Sequence, residues 1–265
     1  KTSRNIKTLP HHDNLKSFGA CFGVSGGYER PMWFALDGEK AEYEYSYNYQ
    51  SWYPSAEYET NNTVKNVGLF DLTPFSKFEI KSDKAHQELQ KICTANIKNE
   101  PGKCVYTHML NSDGGIETDL TVVCIDKNHF RIISSAATRE RDKFHINKHL
   151  SKNIELKDIT DDLCVFGLFG PKSRDLLKTL SEDNFENDQF RFGFAKFITI
   201  DGVKIWTQRL SYVGELGYEL YVDLKDAKKI YELLIEKGKD FNLSNCGMHA
   251  MDIMRMESGF LHWGH

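Results

Sequence analysis

The sequence predicts an α+β fold built mainly on antiparallel sheet. Two runs carry that prediction. In "CVYTHML", "NSDGG", "IETDLTVVCID", "KN" and "HFRIISSA", β-rich segments alternate with turn residues, and "FAKFITI", "DG", "VKIWTQRL" and "YELYVDL" repeat the pattern as a meander. Segments of helical spacing are interspersed without a regular strand–helix alternation, which favours α+β over a doubly wound parallel sheet. No internal repeat is evident.

Each element has a local reason. Residues 1–55 are rich in aromatics, Gly and Pro, as in "FGACFGVSGGYERPMWFA" and "YEYSYNYQSWYPS", and read as an irregular entry segment with one turn of helix near "HDNLKSFG". A helix follows from about Ala56 to Asn66. "VGLFDLTPFSKFEIKS" alternates as a strand and breaks at Pro74, which has no N–H to give a ladder. "DKAHQELQKICTAN" offers Asp83 as N-cap and Ala85, Leu89 and Ile92 on one side of a helix. Asp113-Gly114-Gly115 supplies a hairpin turn. "TRERDKFHINKHL" is a basic amphipathic helix with a solvated face. Strands "IELKDIT" and "LCVFGLFG" precede a helix opened by Pro171 at its first position. Helices "DAKKIYELLIEKGKDF" and "GMHAMDIMRMESG" end the chain.

Composition narrows the partners. The 265 residues are 40% hydrophobic with a formal net charge of -4. There is no basic stripe to attract nucleic acid, and no run of ~18 uncharged apolar residues to span a membrane. The six cysteines, Cys21, Cys93, Cys104, Cys124, Cys164 and Cys246, form no C-x-x-C and sit in apolar runs, so they read as buried thiols. His262 and His265 lack a suitably spaced carboxylate or cysteine, so no metal site is expected. The N-x-T acceptor at Asn61 is read as incidental. A start at Lys1 without an apolar leader and an end at "GFLHWGH" read as a piece of a longer polypeptide.

Two acidic strand segments carry chemistry. In "GGIETDLTV", Glu117 and Asp119 share one strand face, while Thr118, Leu120 and Val122 take the other. In "GYELYV", Glu219 and Tyr221 share a face, and Leu220 and Val222 go to the core. A carboxylate beside an aromatic suits a flat heterocycle: the ring abuts the tyrosine and the carboxylate accepts from paired ring-edge donors, as a pterin presents. The plain alternative is a solvent-facing half of an antiparallel sheet, which normally carries such acids. The pattern leaves both open.

"CVYTHMLNSDGGIETDLTV", "FGLFGPKSRDLL", "RLSYVGELGYELYV" and "MRMESGFLHWG" resemble, in order and spacing, the glycine-cleavage T-protein (aminomethyltransferase) family. "LKSFGACFGVSGGYERPMWFA" and "YVGELGYELYV" are more specifically similar to the folate half of dimethylglycine and sarcosine dehydrogenases. The resemblance implies T-protein-like folate-binding domains, with the family's final β-barrel domain absent from these residues. It implies an entry segment 1–55, a first folate-binding subdomain of 56–81 plus 151–265, and an inserted α+β subdomain 82–150. It implies tetrahydrofolate as the ligand and 5,10-methylenetetrahydrofolate as the product. Asp119 falls on the family's functional acid and Glu219 on its pterin-gripping glutamate. Glu117, Thr118, Asp119, Tyr212, Glu219, Leu220 and Tyr221 would line the folate site.

No G-x-G-x-x-G follows a strand here, so FAD would belong to an amine-oxidase domain upstream or associated. The compartment implied is the bacterial cytoplasm or the mitochondrial matrix. The sequence departs from the family at Met251, where many T-proteins carry a folate-contacting arginine, and Arg255 is expected to pair with Asp252 at i, i+3. Two alternatives accompany this reading: a stand-alone aminomethyltransferase or folate-dependent demethylase, and a non-catalytic relative such as a phosphatase regulatory subunit.

Overall fold

The computed structural model describes residues 4–264, so Lys1 and His265 lie outside the described residues. Helix α1 (His12–Ser17) leads into an antiparallel hairpin of β1 (Ala20–Ser25) and β2 (Tyr28–Phe34). This hairpin corrects the irregular reading of residues 1–55. Gly26 and Gly27 turn the chain with positive φ, and a bulge between Cys21 and Phe22 sets Pro31 opposite Phe22 in a two-stranded sheet, where a missing N–H is tolerated. Ala20, Tyr28 and Phe34 then enter the main core.

Helix α2 (Tyr53–Lys65) carries a proline in its first turn. Strands β3 (Val67–Asp71) and β4 (Ser76–Lys81) are split at Pro74, as expected, and join different sheets. The crossover is pinned by buried Lys77, whose Nζ donates to the carbonyls of Thr73 at 2.7 Å and Phe75 at 2.9 Å. Burial pulls that amine down to about 7.

Next come α3 (Ala85–Ile92), β5 (Cys104–Leu110), β6 (Ile116–Asp126), β7 (His129–Ser134), α4 (Arg139–His149) and β8 (Leu156–Asp158). The β5–β6 turn uses Gly114 at φ +83, and Asn111 Oδ1 accepts from the N–H groups of Asp113 and Gly115. After β9 (Leu163–Phe169), α5 (Ser173–Leu180) begins two residues beyond Pro171, which therefore precedes the helix. The meander appears as β10 (Ala195–Ile200), β11 (Val203–Gln208) and β12 (Gly217–Asp223), followed by α6 (Ala227–Gly238), β13 (Leu243–Cys246) and α7 (Met248–Glu257).

The strands make a six-stranded sheet, β10-β11-β12-β9-β3-β13, and a five-stranded sheet, β5-β6-β7-β4-β8, beside the β1–β2 hairpin. All pairings are antiparallel except β13 with β3. The five-stranded sheet takes in β4 and β8, so its strands run from 76 to 158, beyond both ends of the expected 82–150 segment.

Alternation sorts side chains into three cores. Leu168, Leu220 and Val222 pack with Leu176, Leu177, Ile230 and Leu234 of α5 and α6 on the outer face of the six-stranded sheet. Leu120, Val122 and Ile132 pack with Leu89 and Ile146 of α3 and α4 on the outer face of the five-stranded sheet. The third core lies between the sheets: Val123 from one, Val165, Trp206 and Tyr221 from the other, and Met251 and Met254 of α7.

Buried Glu59 of α2 ties β2 to the start of α7 by accepting from the backbone N–H groups of Phe34 and Gly247, each at 2.7 Å. Burial pushes its carboxyl up to about 8 against the two hydrogen bonds, which pull it down. The contact demands glycine at 247, since a Cβ there would lie 2.2 Å from the backbone C and O of Met32. Gly247→Ala is therefore expected to lower stability by about 1–3 kcal/mol, the usual cost of overpacking. Urea unfolding measures this, and an unchanged midpoint would contradict the close approach.

Candidate functional site

The two predicted acids lie on the facing inner surfaces of the two sheets. On β6, Thr118, Leu120 and Val122 are buried on the outer side, leaving Glu117, Asp119 and Thr121 on the inner side, each half-buried. Tyr106, from β5, donates its hydroxyl to Asp119 Oδ2 at 3.0 Å. Burial and the neighbouring Asp119 carboxylate raise the phenol's pKa, so Tyr106 stays a donor. His108 pairs directly across from Asp119 and packs edge-on to Tyr106 at 5.3 Å.

On β12, Glu219 and Tyr221 share the inner side, and Leu220 lies in the outer core. Tyr221 donates to Glu219 Oε2 at 2.8 Å. Among the described residues Glu219 accepts no other hydrogen bond. Burial therefore pushes its carboxyl up to about 7, with the tyrosine bond only partly opposing. Gln208 sits opposite Glu219 on β11, fully buried, and its amide Nε2 has no partner. This corner thus holds a carboxylate with an unused oxygen beside an unused donor, the condition in which buried polar groups gain most from a ligand.

Side chains link the two surfaces. Cys104, two residues before Tyr106 on the same side of β5, lies 3.9 Å from Gln208 Oε1. Arg131 of β7 stands over the Tyr221 ring at 5.5 Å and is held by Glu79 at 2.8 Å. Tyr212 is close enough for Asp119 to add to the burial that raises its phenol, with Arg255 acting against both. Its hydroxyl donates to the Leu261 carbonyl at 2.7 Å, and its ring stacks on Phe260 at 5.9 Å. Arg255 binds Asp252 at 2.7 Å, as the i, i+3 spacing predicts, and Met251 is buried in the core between the sheets. Glu117 faces Arg141 at 3.8 Å.

Of the expected lining residues, Glu117, Asp119 and Tyr212 gather at one end of this interface and Glu219 and Tyr221 at the other. Thr118 and Leu220 send their side chains outward, so only their backbone can face a ligand. Tyr106 and Gln208 were not anticipated. Tyr106 was readable in principle: once the hairpin turn sets the register, Tyr106 lies diagonal to Asp119 on the same face.

The six cysteines are free and buried. No cluster of three or more His, Cys, Asp or Glu side chains among the described residues is placed to hold a metal ion. No helix among the described residues is long and apolar enough to cross a membrane.

Known proteins share this architecture. The 4-methylaminobutanoate oxidase (formaldehyde-forming) of Paenarthrobacter nicotinovorans is 35% identical over 266 residues, covering the whole chain and 32% of the oxidase. The mitochondrial dimethylglycine dehydrogenase of Rattus norvegicus is 31% identical over 91% of the chain and 28% of the dehydrogenase. The chain thus spans about a third of the length of these relatives, which are enzymes. The glycine cleavage system aminomethyltransferase T from Bartonella henselae has the same fold, with a TM-score of 0.79 at 21% identity over 97% of this chain and 64% of that one. With residues 11–265 matching its description, the chain belongs to the GCVT N-terminal domain family.

Proposed function

We propose that this chain is the tetrahydrofolate-binding part of a flavin-dependent N-methyl amine dehydrogenase, and that it receives the one-carbon unit released by amine oxidation. The observation that carries the reading is the placement of Asp119 and Glu219 on facing sheet surfaces, each with an adjacent tyrosine. Relatives named as a formaldehyde-forming oxidase and as dimethylglycine dehydrogenase support it. The flavin would sit on an amine-oxidase domain in the same or an associated polypeptide. The compartment that goes with this reading is the bacterial cytoplasm or the mitochondrial matrix, and a mitochondrial relative supports it. The fold shared with an aminomethyltransferase favours a second reading, direct aminomethyl transfer without a flavin. Reduction of a flavin by dimethylglycine or sarcosine in the full-length protein separates the two.

Tetrahydrofolate, when bound, supplies the nitrogens that take up the carbon as 5,10-methylenetetrahydrofolate. The residues supply binding and charge. Glu219, as carboxylate, would accept from the pterin's amino group and ring N–H, while Tyr221 fixes the oxygen it already holds. Asp119 would lie toward the reacting nitrogens. Its fixed negative charge favours the positive charge that develops there and takes up the proton released. The Tyr106 hydroxyl holds that carboxylate in place. The apolar core that holds Tyr221 lowers the dielectric around Glu219 and strengthens its grip.

Asp119→Asn should leave folding and folate affinity nearly intact and cut enzyme-dependent coupling of formaldehyde to folate by ~10²-fold or more, the scale of a lost acid/base group. Coupling unchanged above the uncatalysed background would remove Asp119 from the chemistry. The Glu219 carboxyl, raised to about 7, is largely protonated below neutrality and cannot accept from two donors. Tetrahydrofolate affinity should therefore climb as pH rises from about 6 and level off above about 8. Glu219→Gln should weaken binding roughly 10-fold at pH 8 and flatten that climb. Calorimetric titration across the range checks both, and a climb that survives in Glu219→Gln would point to another group.

A further inference from the structure

We propose that His108 is the proton reservoir for Asp119, reached through the Tyr106 hydroxyl. The proposal rests on the folate reading above and concerns how protons move in that reaction.

The chemistry asks for a second proton-holding group. Joining one formaldehyde carbon to two folate nitrogens forms two C–N bonds, breaks two N–H bonds and both bonds of the C=O group, and releases water. Both N–H protons end on the departing oxygen, so none is gained or lost overall. The order creates the demand. The first nitrogen's proton turns the carbonyl oxygen into a hydroxyl. That oxygen leaves as water only when a further proton reaches it, and the second nitrogen still holds its own proton at that point. A lone carboxylate then has nothing to give, so a group behind it must supply a proton and be refilled when the second nitrogen bonds.

The inner face of the β5–β6 pair holds such a group. Thr107 and Met109 are buried on the outer side of β5, which leaves Tyr106 and His108 together on the inner side. His108 stands directly opposite Asp119 in the ladder. The Tyr106 hydroxyl lies 3.0 Å from Asp119 Oδ2 and 3.5 Å from His108 Nε2. A phenol has one proton, and here it is given to the carboxylate, so the phenol oxygen receives from the His108 N–H. Both donors in this chain therefore point toward Asp119. The His108 backbone is fixed on both sides: its N–H donates to Thr94 Oγ1 at 3.3 Å, and its carbonyl accepts from the Thr94 N–H at 2.9 Å.

The roles follow from the side chains. Burial and the Asp119 charge raise the Tyr106 phenol, so it passes a proton on only while receiving another. Imidazole gains and loses a proton near neutrality and carries one on each nitrogen when charged. As the oxygen departs, the Nε2 proton moves to the phenol oxygen, the hydroxyl proton moves to Asp119, and Asp119 delivers one to the leaving oxygen. As the second nitrogen bonds, its proton passes to Asp119 and back through the hydroxyl to His108. Water is released, and the three side chains end in their starting states.

The test uses full-length protein, with enzyme-dependent coupling of formaldehyde to tetrahydrofolate as the readout and calorimetry as the check on folate binding. His108→Ala and His108→Gln should both bind tetrahydrofolate as the unsubstituted protein does and couple roughly 10-fold more slowly, less than the loss at Asp119 because the contacting acid remains. Added imidazole should restore His108→Ala, which leaves room for it. Gln can hold the Tyr106 contact but takes no proton, so a merely structural role predicts normal coupling in His108→Gln. Normal coupling in that variant, or a loss in His108→Ala that imidazole does not relieve, would overturn the proposal. Failure of the unsubstituted protein to bind tetrahydrofolate would instead bring down the folate reading on which it rests.

Discussion

The structure depends on the burial of two sheet surfaces against each other. Each sheet has an ordinary apolar outer face covered by helices, and each also turns its inner face toward the other. A sheet covered on both sides must be apolar on both, and β9 and β3 meet that demand with every residue buried. The acids sit on the inner faces of β6 and β12. On β12, Glu219 loses hydration without full compensation, and burial accordingly pushes its carboxyl up. The same deficit makes the position useful, because a ligand that supplies donors recovers it.

The chain invests polar groups in holding that interface. Lys77 closes the crossover between the sheets by satisfying two carbonyls that have left both ladders. Asp71, at the end of β3, accepts from the Thr73 N–H and binds buried His11 at 3.0 Å. Thr73 Oγ1 accepts from the Val165 N–H. These bonds fix where β4 leaves β3, and so fix the offset between the faces that carry Glu219 and Asp119. The N-terminal hairpin joins the same scheme through Glu59, which holds β2 and α7 together.

Much of this was legible in the sequence, for reasons particular to each element. The β5–β6–β7 run alternates strongly and is punctuated by Asn111–Gly115, so its strands and the sidedness of Glu117 and Asp119 follow from period two alone. Pro74 marks the change of sheet because proline cannot extend a ladder. The hairpin at 20–34 was obscured because Pro31 and the glycines imitate a loop, and a two-stranded sheet tolerates both. β13 was invisible: "LSNC" is four residues long and is a strand only because β3, far away in sequence, offers it an edge. Propensity carries no information about such a partner. At the candidate site, the two acids stand out by their strand pattern and by resemblance, while Tyr106 and Gln208 depend on cross-strand register.

The position of β13 has a consequence for how the protein is made. Every strand of the five-stranded sheet lies within residues 76–158, so that sheet can pair from a contiguous stretch of chain. The six-stranded sheet waits for residues 243–246 to cover the far edge of β3. During synthesis the five-stranded unit can be complete while its inner face still lacks the opposing surface. The emerging polypeptide therefore passes through a stage with one carboxylate in place and the inner-face residues Cys104 and Val123 still uncovered, a window in which chaperone protection matters.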